Sequence, residues 1–225
     1  MKTPAQRHFA QVRAEQAATA AAADGGNSMA GSSAYELMLA KLHTDRRRLK
    51  GIQSIERKVD VKREVLPDYA DYIAGVLAGG RGAQDEVLVT VMVWHIDVGD
   101  FAGALAIAAY ALEHGLKMPD QYDRTLATVL AEEVSDQALK AIKAAAPFDV
   151  GLLLRVAYLT DPHDMHDQVR AKLYKALGLA QQADPATAIP YLERALQLFE
   201  HIGVKKDIAR LQQQLDGGEK DPPTT

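Results

Sequence analysis

The stretch QDEVLVTVMVWHIDVGDFAGALAIAAYALEHG, residues 84–115, decides the fold class. In its first half, residues spaced three or four positions apart fall on one side of a predicted helix. These residues are Val87, Leu88, Val91, Trp94 and His95. Gly99 and Asp100 then predict a tight turn into an alanine-rich helix that ends at Gly115. Because two apolar helices joined by so short a turn lie antiparallel, the stretch predicts a helical hairpin.

A second copy of this hairpin lies downstream. When Asp184 is aligned with Asp100, small and apolar residues coincide: Ala102 with Ala186, Ala104 with Ala188, Leu105 with Ile189, Ala111 with Ala195, and Leu112 with Leu196. Small alanines at fixed positions let partner helices approach closely, as in tetratricopeptide repeats. The sequence therefore predicts an all-α fold, with stacked tetratricopeptide-like hairpins preceded by a basic N-terminal helical segment.

Composition divides the chain into four segments. Residues 1–32 are rich in alanine, glycine and serine and predict a flexible low-complexity tail, because large apolar side chains are too few to offset the entropy of ordering. Residues 33–80 form the basic helical segment, and residues 81–215 form the helical-hairpin domain. Residues 216–225 predict a disordered C-terminus.

The basic segment predicts one long helix over about residues 34–63, capped by Ser32 or Ser33. An imperfect apolar seam runs along it: Tyr35, Met38, Leu42, Leu49, Ile52 and Val59. Pro67 ends this helix and begins another over about residues 68–78, since proline disfavours helix in the residue before it.

The composition and net charge of the chain exclude several classes of protein. The 225 residues contain no cysteine, so disulfides, thiolate metal sites and cysteine nucleophiles are absent. No run of about 18 apolar residues occurs, which predicts an intracellular chain that does not span a membrane. The net charge is −4, so the protein as a whole should not adhere to polyanions.

Charge is distributed unevenly, however. Residues 41–63 contain nine Lys or Arg against three acids, a local charge of +6, whereas the remainder has 17 basic and 27 acidic residues. On one continuous helix, Arg46, Lys50 and Arg57 would lie within about 40° of one another, with Arg47 and Lys58 in a neighbouring row. Such rows can neutralise phosphates, although they are also typical of a solvated coiled-coil flank.

We predict that the basic residues contact DNA. The predicted contacts are Arg46, Arg47, Arg48, Lys50, Arg57, Lys58, Lys62 and Arg63. Lys2, Arg7 and Arg13 of the N-terminal segment are predicted to assist them.

Two other clusters contain candidate metal ligands. DPHDMHD, residues 161–167, brings His163 and His166 close to three aspartates, but Asp-Pro favours a capped linker. Glu132 and Glu133, with Asp136 and Lys140, match the residue types of a metal-dependent nuclease, but this spacing is also typical of a solvated helix face.

Nothing else in the sequence predicts catalysis. The loop AGGRGAQDE, residues 78–86, lacks the Lys-Ser/Thr ending of a phosphate-binding loop and predicts a hinge. His95, beside Trp94 on an apolar stripe, is predicted to be a core residue. We therefore predict no catalytic residue, no metal site and no cofactor.

Six stretches of the sequence are distinctive when taken together: TPAQRH (3–8), YELMLAKLHTDRRRLKGI (35–52), KREVLP (62–67), GAQDEVLVTVMVWHIDVGDFAGALAIAAYALEHGLKMP (82–119), VRAKLYKALGL (169–179) and GVKKDIARL (203–211). They resemble the small terminase subunits of tailed temperate phages with cohesive-end genomes.

This resemblance implies a protein that initiates genome packaging in the host cytoplasm. Proteins of this kind recognise the packaging site on concatemeric double-stranded phage DNA and assemble into a homo-oligomer, often a ring. They recruit the large subunit, which supplies the ATPase and usually the nuclease. The group is also labelled a terminase endonuclease subunit. Residues 33–80 would then be the DNA-contact and oligomerisation segment.

Two rival hypotheses stay open. The chain could be a metal-dependent endonuclease in its own right, built on His163, His166 and Asp167 or on Glu132 and Glu133. Alternatively, it could be a helical-repeat adaptor that binds only protein.

Overall fold

The computed structural model describes residues 3–23, 29, 32–80, 82–119 and 123–218. These residues are helical almost throughout and contain no strand, which confirms the all-α prediction. The helices of this described part are α1 (Pro4–Ala23), α2 (Ser33–Lys50), α3 (Ile55–Val65), α4 (Ala70–Gly79), α5 (Glu86–Asp97), α6 (Phe101–Glu113), α7 (Leu126–Lys143), α8 (Val150–Thr160), α9 (Asp167–Ala180), α10 (Pro185–Leu198) and α11 (Lys205–Gly218). Short 3₁₀ turns cover Leu66–Asp68 and Glu200–Ile202.

Helices α5 and α6 pack together across the predicted tight turn. Gly99 has a φ of +80°, a conformation that glycine adopts without a Cβ penalty. Asp100 caps α6, because its Oδ1 accepts a hydrogen bond from the Gly103 amide at 3.0 Å. Ala104, Ala108 and Ala111 are fully buried, as close helix packing requires.

The downstream pair, α9 and α10, packs just as closely. A Cβ added to Gly178 of α9 would lie 2.5 Å from Leu192 Cδ2 of α10, so a larger residue there would force Leu192 to move. Leu192 belongs to a buried cluster with Ala188, Val204 and Leu211, which joins α10 to α11. The arrangement of these helix pairs as stacked tetratricopeptide-like repeats stays a prediction.

The chain divides into two compact units, residues 1–126 and residues 127–225. The four segments predicted from composition stay a prediction.

The first of these segments, residues 1–32, contains α1, which packs against α4. A Cβ on Gly75 would lie 2.3 Å from Gln11 O, and one on Gly79 would lie 2.6 Å from Glu15 O, so the two backbones touch. Close backbone contact replaces the large apolar side chains that the sequence of α1 lacks.

The prediction of one long helix over residues 34–63 is wrong, because the chain breaks between α2 and α3. Gly51 ends α2, with its amide donating to Arg47 O at 3.3 Å. Ser54 then begins α3, because its Oγ accepts a hydrogen bond from the Arg57 amide at 3.2 Å. The predicted row of Arg46, Lys50 and Arg57 assumed a continuous helix and therefore does not exist.

At the other end of α2, Ser32 is the N-cap, since its Oγ accepts from the Tyr35 amide. The sequence did not distinguish Ser32 from Ser33 as the cap, and the structure assigns Ser32. None of the helices in the described ranges has the length and apolar character needed to cross a membrane.

Candidate nucleic-acid interface

All eight cations predicted to contact DNA lie on α2 and α3, on either side of the break at residues 51–54. Their surroundings divide them into three groups. Arg46 and Lys62 reach α5, Arg48 and Arg63 form exposed ion pairs, and the other four have no acidic partner among the described residues.

Arg46 and Lys62 connect the basic helices to α5. Arg46 pairs with Glu86, and its Nη2 donates a hydrogen bond to the buried Thr90 Oγ1 at 2.7 Å. Lys62 pairs with Asp97 at the other end of α5. The two cationic side chains are only 24% and 17% exposed. These ion pairs therefore hold α2 and α3 on α5, and both cations are only partly accessible to solvent.

Arg48 and Arg63 are exposed but partnered. The Arg48 guanidinium makes two hydrogen bonds to the Glu64 carboxylate, at 3.2 and 2.9 Å, and joins α2 to α3. This guanidinium lowers the pKa of Glu64. Arg63 contacts Asp60 within α3 at 3.2 Å. Exposed pairs of this kind contribute little to stability because solvent screens them, so a phosphate can compete with the carboxylates.

The remaining cations are Arg47, Lys50, Arg57 and Lys58, hereafter the corner cations. In the described part of the chain they form no ion pair, and the Arg47 guanidinium contacts only Thr44 Oγ1 at 3.5 Å. Arg47 and Lys50 occupy the last turn of α2, and Arg57 and Lys58 occupy the first turn of α3. The α2–α3 corner therefore carries four positive charges that form no ion pair with a described carboxylate.

A buried polar network joins the middle of α2 to Tyr69. Asp45 is buried and accepts hydrogen bonds from Tyr69 Oη at 2.7 Å and from Lys41 Nζ at 2.9 Å. Lys41 also pairs with Asp68 at 2.9 Å. Burial and the Asp45 hydrogen bond raise the pKa of Tyr69. The sequence signal was an acid in an apolar seam with a lysine four residues earlier, which indicates a paired acid.

A second buried carboxylate, which the sequence analysis missed, lies at the start of α5. Asp85 is fully buried, and its Oδ1 caps the helix by accepting from the Leu88 amide at 2.9 Å. Its Oδ2 accepts from Tyr72 Oη at 2.5 Å. Burial raises the pKa of Asp85 to about 6. The signal was an Asp directly before a run of apolar helical residues, which is the pattern of an N-cap.

The glycine-rich loop and His95 have structural roles. Gly82 adopts a φ of +91°, and its amide donates to Tyr110 Oη at 3.0 Å. His95 Nδ1 lies 2.8 Å from the exposed Asp100 Oδ2. The loop residue Arg81 lies outside the described residues.

The two clusters of candidate metal ligands do not form ligand sets among the described residues. Glu132 and Asp136 of α7 both face Lys172 Nζ of α9, at 3.4 and 2.9 Å, so a lysine occupies the space between these carboxylates. In the loop before α9, the carbonyl oxygen of His163 accepts from Arg170. Within the described ranges, no three His, Asp or Glu side chains converge as metal ligands would.

Comparison with known proteins defines the class. The sequence profile described as phage small terminase subunit matches residues 39–168, a range that includes all eight predicted cations. A terminase endonuclease subunit of Escherichia phage P2 is 46% identical over 217 residues, which cover 96% of this chain and 86% of the relative. A probable terminase endonuclease subunit of Haemophilus phage HP1 is 26% identical over 192 residues, covering 78% of this chain and 68% of that protein.

These similarities identify a phage DNA-packaging protein. Specifically, the chain belongs to the phage small terminase subunit family. No solved structure shows a significant match to it.

Proposed function

We propose that this chain is the small subunit of a viral terminase, acting in the host cytoplasm on concatemeric phage DNA. In this role it binds the packaging site on double-stranded DNA, assembles into a homo-oligomer and recruits the large ATPase and nuclease subunit. The tetratricopeptide-like helix pairs, α5–α6 and α9–α10, supply surfaces for recruiting the large subunit.

One observation carries the DNA-binding proposal: the corner cations have no acidic partner in the described structure, although the chain as a whole is acidic. Phosphate oxygens can supply the missing negative charge and release counterions on binding. Phosphate contacts fix position without reading sequence, so this surface accounts for affinity and not for recognition of the packaging site. Repetition of the corner in a homo-oligomer would raise avidity, because later contacts become intramolecular.

The ion pairs of the basic helices support a smaller set of proposed DNA contacts. Arg46 and Lys62 form ion pairs with acids of α5, and we propose that they position the basic helices. Arg48 and Arg63 can exchange their exposed carboxylates for phosphates and are secondary contacts. The corner cations are the primary contacts.

Fluorescence anisotropy with labelled phage-end DNA tests this assignment. Arg47→Ala, Lys50→Ala, Arg57→Ala and Lys58→Ala in one chain should weaken binding at least tenfold. The matched control removes four exposed cations elsewhere, Lys140, Lys143, Arg194 and Lys206, with the same change in net charge. Equal affinity of the two variants would refute the assignment, because total charge alone would then govern binding.

A second candidate function is endonuclease activity of the chain itself, which the names of both relatives favour. The carboxylates of Glu132 and Asp136 face a lysine, so we assign cleavage to the complex with the large subunit. Incubation of the purified protein alone with cognate DNA and Mg²⁺ or Mn²⁺ tests this assignment. Cleavage that disappears in Glu132→Gln/Glu133→Gln or in His163→Ala/His166→Ala would reverse it.

A protein-only adaptor remains the third hypothesis. It predicts that the chain retains the large subunit and has no measurable affinity for DNA. The anisotropy measurement on the unmodified protein separates this hypothesis from the other two.

A further inference from the structure

An apolar groove of about 220 Å³ runs between α1 and α2. Its lining includes Phe9, Ala10, Arg13, Ala34, Leu37 and Met38. Phe9 is 62% exposed and Leu37 is 66% exposed, high values for large apolar side chains. Such exposed apolar surface indicates an interaction site.

The groove carries one positive charge. The Arg13 guanidinium lies 5.6 Å from the centre of the Phe9 ring, and its Nη2 donates to Ser33 Oγ at 2.6 Å. Arg13 forms no ion pair in the described part of the chain. A ligand that fills this groove should therefore be apolar and carry an acidic group beside its apolar surface.

Helix α8 presents an exposed apolar face that is followed by an acid at its C-terminal end. Tyr158 is 72% exposed, and Leu154, one turn earlier on the same face, is also exposed. The guanidinium of Arg155 lies 5.7 Å from the centre of the Tyr158 ring. Asp161 follows three residues later, is exposed and forms no hydrogen bond or ion pair through its side chain among the described residues.

We propose that the α1–α2 groove binds the Leu154–Tyr158 face of α8 from a second copy of this chain. The groove is large enough for a tyrosine side chain. Asp161 offers a carboxylate to Arg13, and Arg155, whose guanidinium lies on the Tyr158 ring, has to remain outside the groove. The inference rests on the proposed homo-oligomer and names its two surfaces. The groove and the α8 face are different surfaces. When two copies bind, one copy therefore keeps a free groove and the other keeps a free α8 face. Further copies can add at these free surfaces, and the assembly closes into a ring when the rotation between neighbouring copies permits.

Mass measurement of the intact assembly, with two variants, tests the interface. Leu37→Glu blocks the groove, Tyr158→Glu blocks the α8 face, and each alone should convert the oligomer to monomers. An equimolar mixture of the two variants should form 1:1 dimers, because the Leu37→Glu chain keeps its Tyr158 and the Tyr158→Glu chain keeps its groove. Formation of that dimer also shows that both variants are folded. Leu215→Glu, at another exposed leucine, should keep the wild-type mass.

An unchanged mass for either variant, or a mixture that stays monomeric, would overturn the proposal. Variants that stay assembled but no longer retain the large subunit would assign the groove to that subunit, which also overturns it. DNA binding is measured on the same samples. If the unmodified chain is monomeric yet binds DNA, the proposed interface is refuted and the DNA-binding proposal still stands.

Discussion

Arg46 of α2 donates a hydrogen bond to the buried Thr90 Oγ1 of α5, although the two residues are 44 positions apart in the chain. The adjacent Arg47 is exposed to solvent, and among the described residues its guanidinium has a hydrogen bond only to Thr44 Oγ1. Two consecutive arginines thus have different surroundings. This contrast separates a cation that holds the basic helix in place from one that can contact a ligand.

Arg46→Ala should lower the free energy of unfolding by roughly 1–3 kcal/mol, since it leaves Thr90 and Glu86 without their shared partner. Arg47→Ala should change stability by less than about 0.5 kcal/mol and weaken DNA binding at constant salt. Urea unfolding and anisotropy on the same two variants measure both effects. An Arg47→Ala variant that unfolds more easily than Arg46→Ala would invert the two roles.

The break between α2 and α3 should depend on the Ser54 cap. Ser54→Ala removes the acceptor for the Arg57 amide and should lower the free energy of unfolding by about 1 kcal/mol. Ser54→Thr keeps a hydroxyl and should recover most of that loss. If alanine and threonine behave alike in urea unfolding, the cap does not stabilise the start of α3.

Contact between α1 and α4 should not tolerate a methyl group at Gly75. Its Cβ would lie 2.3 Å from Gln11 O and 2.7 Å from Ala14 Cβ, so the helices must separate. We expect Gly75→Ala to speed hydrogen exchange throughout α1 and to lower stability by about 1–3 kcal/mol. Gly217→Ala is the control, because no atom lies within 4 Å of its added Cβ. Equal exchange in the two variants would contradict the close packing.

Asp85 should make stability depend on pH. Its pKa is raised from 3.8 to about 6 in the folded chain, because burial disfavours the charged carboxylate. Between these two values the folded chain binds more protons than the unfolded chain. The free energy of unfolding contributed by Asp85 therefore falls as the pH rises from about 4 to 6, by about 3 kcal/mol at most.

Asp85→Asn isolates this effect, because asparagine can still cap α5 but does not titrate. Urea unfolding at pH values from 4 to 7 should show the stability of wild type falling relative to the variant as the pH rises. Carboxylates such as Glu64 titrate in both proteins and cancel in the comparison. A constant difference across the range would show that Asp85 is not titrating there.

Local patterns predicted much of this fold. The apolar spacing around Val87 and Trp94 and the turn at Gly99 depend on neighbouring residues, so the helices were readable from sequence. The break after Lys50 was not, because the apolar seam continues through Ile52 and masks the cap at Ser54. The packing of α1 was missed because glycines on α4, distant in sequence, make the contact.

The candidate site was only partly predictable. Charge density located the basic segment, since a surplus of lysine and arginine is visible without a fold. It could not distinguish Lys62, paired with Asp97 35 residues away, from Lys58, which has no described acidic partner. Partners that distant are set by tertiary packing, and a helical wheel contains no information about them.

The salt dependence of DNA affinity tests the central claim most directly. For each phosphate contact removed per subunit, the slope of log K against log salt concentration should shrink by about 0.9. We predict a slope smaller in magnitude by about three to four per subunit when all four corner cations are alanine, and an unchanged slope when Arg46 alone is alanine. An unchanged slope in the four-site variant would show that DNA is held elsewhere on the protein.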